Sequence, residues 1–250
     1  MILFTLKATP FQFSWLAFVL ALLGLDEFYR MALPSRRAEG RVAAAAGAVA
    51  IFSIFAANPV IPLMSLTVLV LAFCLVELFR LKEIPKAAGD AALLLMGFLY
   101  VPLLLGHLAM IRMLPHGVSW LFLIMVIVMC GDSAAYYVGS TLGRTKLYPQ
   151  VSPKKSVEGS IGGLAGSVIG AFVSKALYFP ELSIADCVAT ALLLGLLGQL
   201  GDLFESLIKR SCGVKDSGAI FPGHGGVLDR LDSILFAGPA AYYYAYFFLR

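Results

Sequence analysis

Eight long apolar runs, at roughly residues 11–29, 42–57, 60–79, 90–111, 118–141, 158–178, 184–208 and 231–249, take up most of this 250-residue chain. A helix needs about 20 such residues to cross a ~30 Å hydrocarbon core. The runs are rich in Leu, Ala and Gly and lack the short alternating pattern of membrane β-strands, so a barrel is excluded. Helices remain, because they satisfy their own backbone hydrogen bonds in lipid. Composition agrees: 60% of residues are hydrophobic and 14% charged, against about 25% charged in a soluble domain. The expectation is an all-α, polytopic integral membrane helical bundle of about eight transmembrane helices, forming one domain over 1–250. Helices within 11–111 would be scaffold, and 118–249 would carry the chemistry. The first run continues into "DEFYRM" without a small-residue cleavage site, so it is expected to be retained.

Of 19 lysines and arginines, all but Lys7, Arg112, Lys175 and Arg250 fall in segments that follow alternate runs. These are Arg30 to Arg41, Arg80 to Lys86, Arg144 to Lys155 and Lys209 to Arg230. The positive-inside rule then puts all four basic segments on the cytoplasmic side and both termini outside. Asp26, Glu27 and Glu77 sit beside arginines at run ends and are assigned to interface anchoring. Cys74, Cys130, Cys187 and Cys212 form no CxxC pair, and no disulfide is expected.

Ionisable groups inside a membrane helix are costly and usually face a cavity or a partner. Asp132 lies in "CGDSAAYYVG", with Tyr136 one turn on. Asp202, Glu205, Ser206 and Lys209 follow at i, i+3, i+4 and i+7, one polar stripe along the seventh run. Asp229 and Asp232 are spaced i, i+3 where the last helix should begin, and carboxylates are favoured at a helix N-terminus. The plainer readings are an internal ion pair of Asp202 or Glu205 with Lys209, and simple capping by Asp229 and Asp232. A supply of carboxylates without a His and Cys cage suits a hard cation such as Mg²⁺.

"PGHGG", residues 222–226, joins a stiff Pro222 to Gly223, Gly225 and Gly226, which let backbone amides approach an anion. The helix that follows adds its positive dipole end, and Lys215, His224 and Arg230 surround the loop in sequence. Upstream, "SPKKSVEGS" places Lys154 and Lys155 before a helix, with Ser156 as N-cap; such a lysine pair also suits anionic headgroups in general. Gly162, Gly166 and Gly170 recur every four residues, a close-packing pattern. No Walker A loop or Rossmann fingerprint occurs.

Residues 206–232 match S-x-x-K-R-x4-K-D-x-G-x3-P-x-H-G-G-x2-D-R-x-D throughout, and in this the chain resembles the CDP-diacylglycerol synthases, or phosphatidate cytidylyltransferases. "DSAAYYVG" and "SPKKSVEGSIGG" resemble upstream motifs of that family. Family members commonly have a further N-terminal membrane helix, where this chain has "MILFTLKATP" before its first run. The resemblance implies condensation of CTP with phosphatidic acid to CDP-diacylglycerol and pyrophosphate. It further implies Mg²⁺ as cofactor, with a second cation left open. Asp202, Asp229 and Asp232 are then the expected metal ligands, and Asp132 completes the polar cavity beside Glu205. Lys209, Lys215, His224 and Arg230 with Gly223, Gly225 and Gly226 would hold the triphosphate, and Lys154 and Lys155 would place a phosphate. Asp216 lies within the signature without an assigned role.

Expected partners are CTP, phosphatidic acid and membrane lipids, with a homodimer as an option and no nucleic acid. The expected location is a bacterial inner membrane, with the site facing the cytoplasm. Two enzymatic rivals are a CTP-dependent lipid kinase and a cytidylyltransferase for another lipid phosphate. An ion-coupled transporter is a poorer fit: the acidic groups crowd one side, and no inverted repeat is visible.

Overall fold

The computed structural model describes residues 7–55, 60–80, 84–220 and 225–249. The chain is helical, and six helices among the described residues are long and apolar enough to cross a membrane: Pro10–Ala32, Val60–Arg80, Ile84–Met113, Gly117–Leu142, Val157–Leu177 and Ile184–Ser211. It is an all-α, polytopic membrane protein. Packing sorts it into two compact units, the first Met1–Ala109 with Asp216–Arg230, the second Met110–Lys215 with Leu231–Arg250.

The first unit is built on α1 (Pro10–Ala32), started by a capping box in which Thr9 and Gln12 exchange hydrogen bonds. Ala17, Ala21, Leu25 and Phe28 line its buried side. The Tyr29 hydroxyl donates to the Leu94 carbonyl oxygen at 2.7 Å, which ties α1 to α4 (Ala87–Tyr100). α4 gives way to α5 (Pro102–Met113) at Pro102, whose ring cannot donate the hydrogen bond that would continue the helix.

The run at 42–57 does not make one membrane-length helix. α2 spans Arg37–Val49, 13 residues or roughly 20 Å at 1.5 Å per residue, and a 3₁₀ segment, Ala50–Phe55, follows. The run was apolar through alanine and glycine, whose small side chains let helices approach closely. Gly47 does so against α1 and α4, where a Cβ would fall 3.1 Å from a Leu25 methyl and 3.2 Å from the Phe98 ring, and Gly40, just before the run, against Tyr29, at 2.9 Å from the tyrosine Cβ.

Arg36 is 6% exposed and is held by Glu39 at 3.3 Å, by Asp90 at 3.1 Å and by Glu77 of α3 (Val60–Arg80). Burial alone would lower the guanidinium's pKa, but the hydrogen bonds it donates to Glu77, Asp90 and Glu39 hold it above its ordinary value. Glu77 is therefore an internal partner, 6% exposed, and not an interface anchor as expected. Like-charged neighbours could share one site only because a buried cation joins them.

The second unit packs α6 (Gly117–Leu142), α7 (Val157–Leu177) and α8 (Ile184–Ser211) through small residues. A Cβ on Gly166 would fall 2.5 Å from the Ala134 Cβ and 2.6 Å from the Cys130 carbonyl oxygen, and one on Gly170 3.1 Å from the Cys130 Cβ. The four-residue glycine repeat is thus the α6-facing seam of α7. Ser167 sits at the centre, donating to the Ile127 carbonyl oxygen at 3.2 Å.

Between α6 and α7 an antiparallel hairpin forms, β1 (Lys146–Tyr148) with β2 (Ser152–Ser156). Ser156 caps α7 by accepting from the Gly159 amide at 3.1 Å, as expected. Glu158 accepts from the Arg144 and Thr145 amides at 3.1 Å, closing the loop onto the helix start. α8 begins with a Ser183/Asp186 capping box, and Asp186 also accepts from the Tyr244 hydroxyl at 2.7 Å. The last helix, α9 (Leu228–Phe248), belongs to the first unit through Arg230 and to the second beyond it.

Candidate functional site

In the first unit the signature loop is tied down by two carboxylates. Asp229, in the first turn of α9, accepts at Oδ2 from the Ser217 amide (2.9 Å), the Ser217 hydroxyl (2.9 Å) and the Gly226 amide (2.7 Å). Glu27 of α1, 2% exposed, accepts from the Val227 amide (3.0 Å), the Leu228 amide (2.9 Å) and the Ser217 hydroxyl (3.1 Å). Donors that a helix start leaves without intrahelical partners are thereby satisfied. Gly225 has φ +80°, a turn that glycine adopts without steric cost. A Cβ on Gly226 would collide with the Glu27 carboxylate and the Ser217 hydroxyl. Pro222, Gly223 and His224 lie outside the described residues. Lys215, Asp216 and Arg230 are exposed.

In the second unit a polar cluster forms around α8. Asp202 pairs with Lys155 at 2.6 Å, both side chains about one-third exposed, and Ser206 donates to it at 3.5 Å. Asp132 of α6 and Asp232 of α9 lie within electrostatic reach of Asp202 and of each other. Asp232 accepts from the Ser233 amide at 2.6 Å. The close approach has a backbone cause: a Cβ on Gly201 would fall 2.5 Å from the Asp232 carbonyl oxygen, so glycine beside Asp202 lets the two carboxylate-bearing segments touch. Glu205, fully buried, pairs with Lys209 at 2.6 Å. Lys154 is exposed on β2. Among the described residues no three His, Cys, Asp or Glu side chains gather as a ready metal cage.

The profile of the Cytidylyltransferase family matches residues 1–248. The chain belongs to the cytidylyltransferase family. A Bacillus subtilis (strain 168) protein named phosphatidate cytidylyltransferase is 43% identical over 128 residues, 51% of this chain and 48% of the relative. One of the same name from Staphylococcus aureus (strain COL) is 36% identical over 224 residues, 88% of this chain and 85% of the relative. Another, from Staphylococcus haemolyticus (strain JCSC1435), is 38% identical over 173 residues, 69% and 66%.

In this cytidylyltransferase the second unit brings together Asp132, Lys155, Asp202 and Asp232, while Glu205 pairs through one carboxylate oxygen with Lys209 along the same helix, its buried Oε1 accepting no hydrogen bond from a described residue. The first unit holds Asp229 with Gly225 and Gly226. Glu27 and Ser217 were missed as supports of the loop. Adjacent helical residues point about 100° apart, so Asp26 and Glu27 could not both face the arginines. Asp26 takes the Arg30 side, one turn on; Glu27 is left to face inward, and a buried carboxylate requires donors. That reasoning was open to the sequence, although which amides it would find was not.

Proposed function

We infer that this cytidylyltransferase is a phosphatidate cytidylyltransferase, which condenses CTP with phosphatidic acid to CDP-diacylglycerol and pyrophosphate. The carrying observation is the relative of that name aligned over 88% of the chain. An oxygen of the lipid phosphate attacks the α-phosphorus of CTP; a P–O bond forms there as the bond to the bridging oxygen breaks, and the electron pair leaves with pyrophosphate. A phosphate monoester is already anionic at neutral pH, so the attack needs no general base. Repulsion between the two anions is the obstacle, and it is the task of the chain's cations to offset it, because the Gly226, Val227 and Leu228 amides expected to cradle a phosphate are already bonded to Asp229 and Glu27.

Lys215 and Arg230, exposed in the signature segment, and His224 are assigned to the triphosphate. Lys154 and Lys155 are assigned to phosphate placement, with Lys155 exchanging its Asp202 partner for the substrate. The Glu205–Lys209 pair supports α8 from within, since both side chains are buried and matched in charge.

The donor chemistry fits Mg²⁺: Asp132, Asp202 and Asp232 gather more negative charge than Lys155 offsets, and Mg²⁺ commonly takes one or two carboxylates plus waters and phosphate oxygens. Asp202 and Asp232 would hold it. When bound, Mg²⁺ supplies charge neutralisation and in-line alignment of phosphate oxygens. Asp229, whose Oδ2 is engaged by three donors, is assigned to shaping the loop. We place the basic segments on the cytoplasmic side of a bacterial inner membrane, supported by the charge asymmetry.

Incubating purified protein with phosphatidate, labelled CTP and Mg²⁺, with an EDTA control, tests the reaction. Labelled CDP-diacylglycerol with equimolar pyrophosphate is expected; labelled CDP with a newly phosphorylated lipid would assign a kinase instead.

A further inference from the structure

At the C-terminal end of α1 the first unit contains a cleft of about 220 Å³, lined by Asp26, Tyr29, Arg30, Arg37, Gly40 and Arg41. That volume is below the roughly 300–1,000 Å³ of sites for drug-sized ligands, so it suits a headgroup and is small for a nucleotide. Three guanidinium groups face one carboxylate. Asp26 is bonded to Arg30, with Arg41 at 3.8 Å, and the Arg37 side chain makes no hydrogen bond or ion pair with any described residue. Two positive charges are therefore left over.

Neither the reaction nor its site uses these residues. Arg30 lies in the last turn of α1, a membrane-length helix, and so at the depth where lipid headgroups sit. Gly40 permits the cleft, because its missing side chain lets α2 close against Tyr29, while the Arg30 and Arg41 side chains stay more than half exposed.

We propose that this arginine cleft binds a dianionic phosphate group, whose source is either a phosphomonoester lipid headgroup or free phosphate. Guanidinium forks match phosphate oxygens in both charge and plane, and a phosphomonoester near neutral pH carries close to two negative charges. Its binding is independent of the catalytic assignment, since none of the six lining residues belongs to the signature.

Native mass spectrometry of the full chain released from phosphatidylcholine nanodiscs, doped with increasing phosphatidate, tests this. The wild type should retain one more phosphatidate than Arg37→Gln/Arg41→Gln, with at least about a tenfold weaker affinity for that lipid in the variant. Arg37→Lys/Arg41→Lys should keep part of the binding, and circular dichroism should show all three proteins folded alike. If excess inorganic phosphate displaces the additional lipid, the cleft takes free phosphate as well; if it does not, the lipid headgroup is the ligand. Equal phosphatidate stoichiometry and affinity in the wild type and the glutamine variant would overturn the proposal.

Discussion

The loop of the first unit and the carboxylate cluster of the second each take one acidic side chain from the signature, Asp229 and Asp232, three residues apart, yet they treat their carboxylates differently. Glu27 and Asp229 each accept two hydrogen bonds from backbone amides and share the single hydroxyl proton of Ser217. In the cluster, Asp202 has one lysine and a long serine contact, Asp232 one adjacent amide, and Asp132 accepts no hydrogen bond from a described residue. A carboxylate saturated by amides has little capacity left for a ligand, and its work is to fix backbone. One with unspent acceptor capacity in an electronegative setting can take a cation and a substrate. The contrast predicts that damage to the loop shows first as lost stability, and damage to the cluster as lost turnover in a folded protein.

The largest effect should come from Asp232→Asn, nearly isosteric within the cluster. Turnover is expected to fall by about a thousandfold, since metal-assisted charge stabilisation is worth several kcal/mol, while the thermal midpoint in detergent stays within a few degrees. Near-full Mg²⁺-dependent activity would remove Asp232 from the chemistry and break the contrast. Next comes Glu27→Gln: its amide keeps one acceptor oxygen but turns a donor towards the Val227 or Leu228 amide. Leaving buried donors unsatisfied should destabilise the protein by about 3 kcal/mol, measurable by denaturant melts and by faster proteolysis at residues 217–227. An unchanged melt would place the loop's stability elsewhere.

Gly201→Ala probes the spacing that brings Asp202 to Asp232. Forcing a Cβ against the Asp232 carbonyl oxygen should cost about 2 kcal/mol and lower turnover together with stability, unlike Asp232→Asn. The smallest structural effect belongs to Lys155→Gln. An ion pair about one-third exposed to solvent contributes about 1 kcal/mol or less, so the melt should hardly move. The KM for CTP or phosphatidate should nevertheless rise about tenfold if Lys155 leaves Asp202 for a phosphate; an unchanged KM would return the pair to a structural role.

The helical placement of several charged groups could be read in advance because it is written in local spacing. The i, i+3 pair Asp229 and Asp232, the stripe from Asp202 to Lys209 and the Ser156 cap are consequences of helical periodicity. What periodicity could not supply was a partner from another element. Lys209 stands one turn from Glu205 and two from Asp202, and it pairs with Glu205 as that spacing favours, whereas the partner of Asp202, Lys155, is delivered from the hairpin. The hairpin itself escaped notice, since "SPKKS" has no apolar alternation and its pairing depends on β1 across a turn.

Sequence alone determined that this chain is a helical membrane protein and a cytidylyltransferase by its signature, because transfer of apolar side chains into lipid and the spacing of charged groups are local properties. Tertiary structure decided that the 42–57 run would be a short helix with a 3₁₀ extension. It also turned Glu27 and Glu77 inward, and left Asp132, Asp202 and Asp232 under-satisfied in one cluster. The carboxylate outcomes depend on which donors lie within about 3 Å of the oxygens, and residues up to 201 positions apart in the chain, as with Glu27 and Leu228, meet at that distance only after folding.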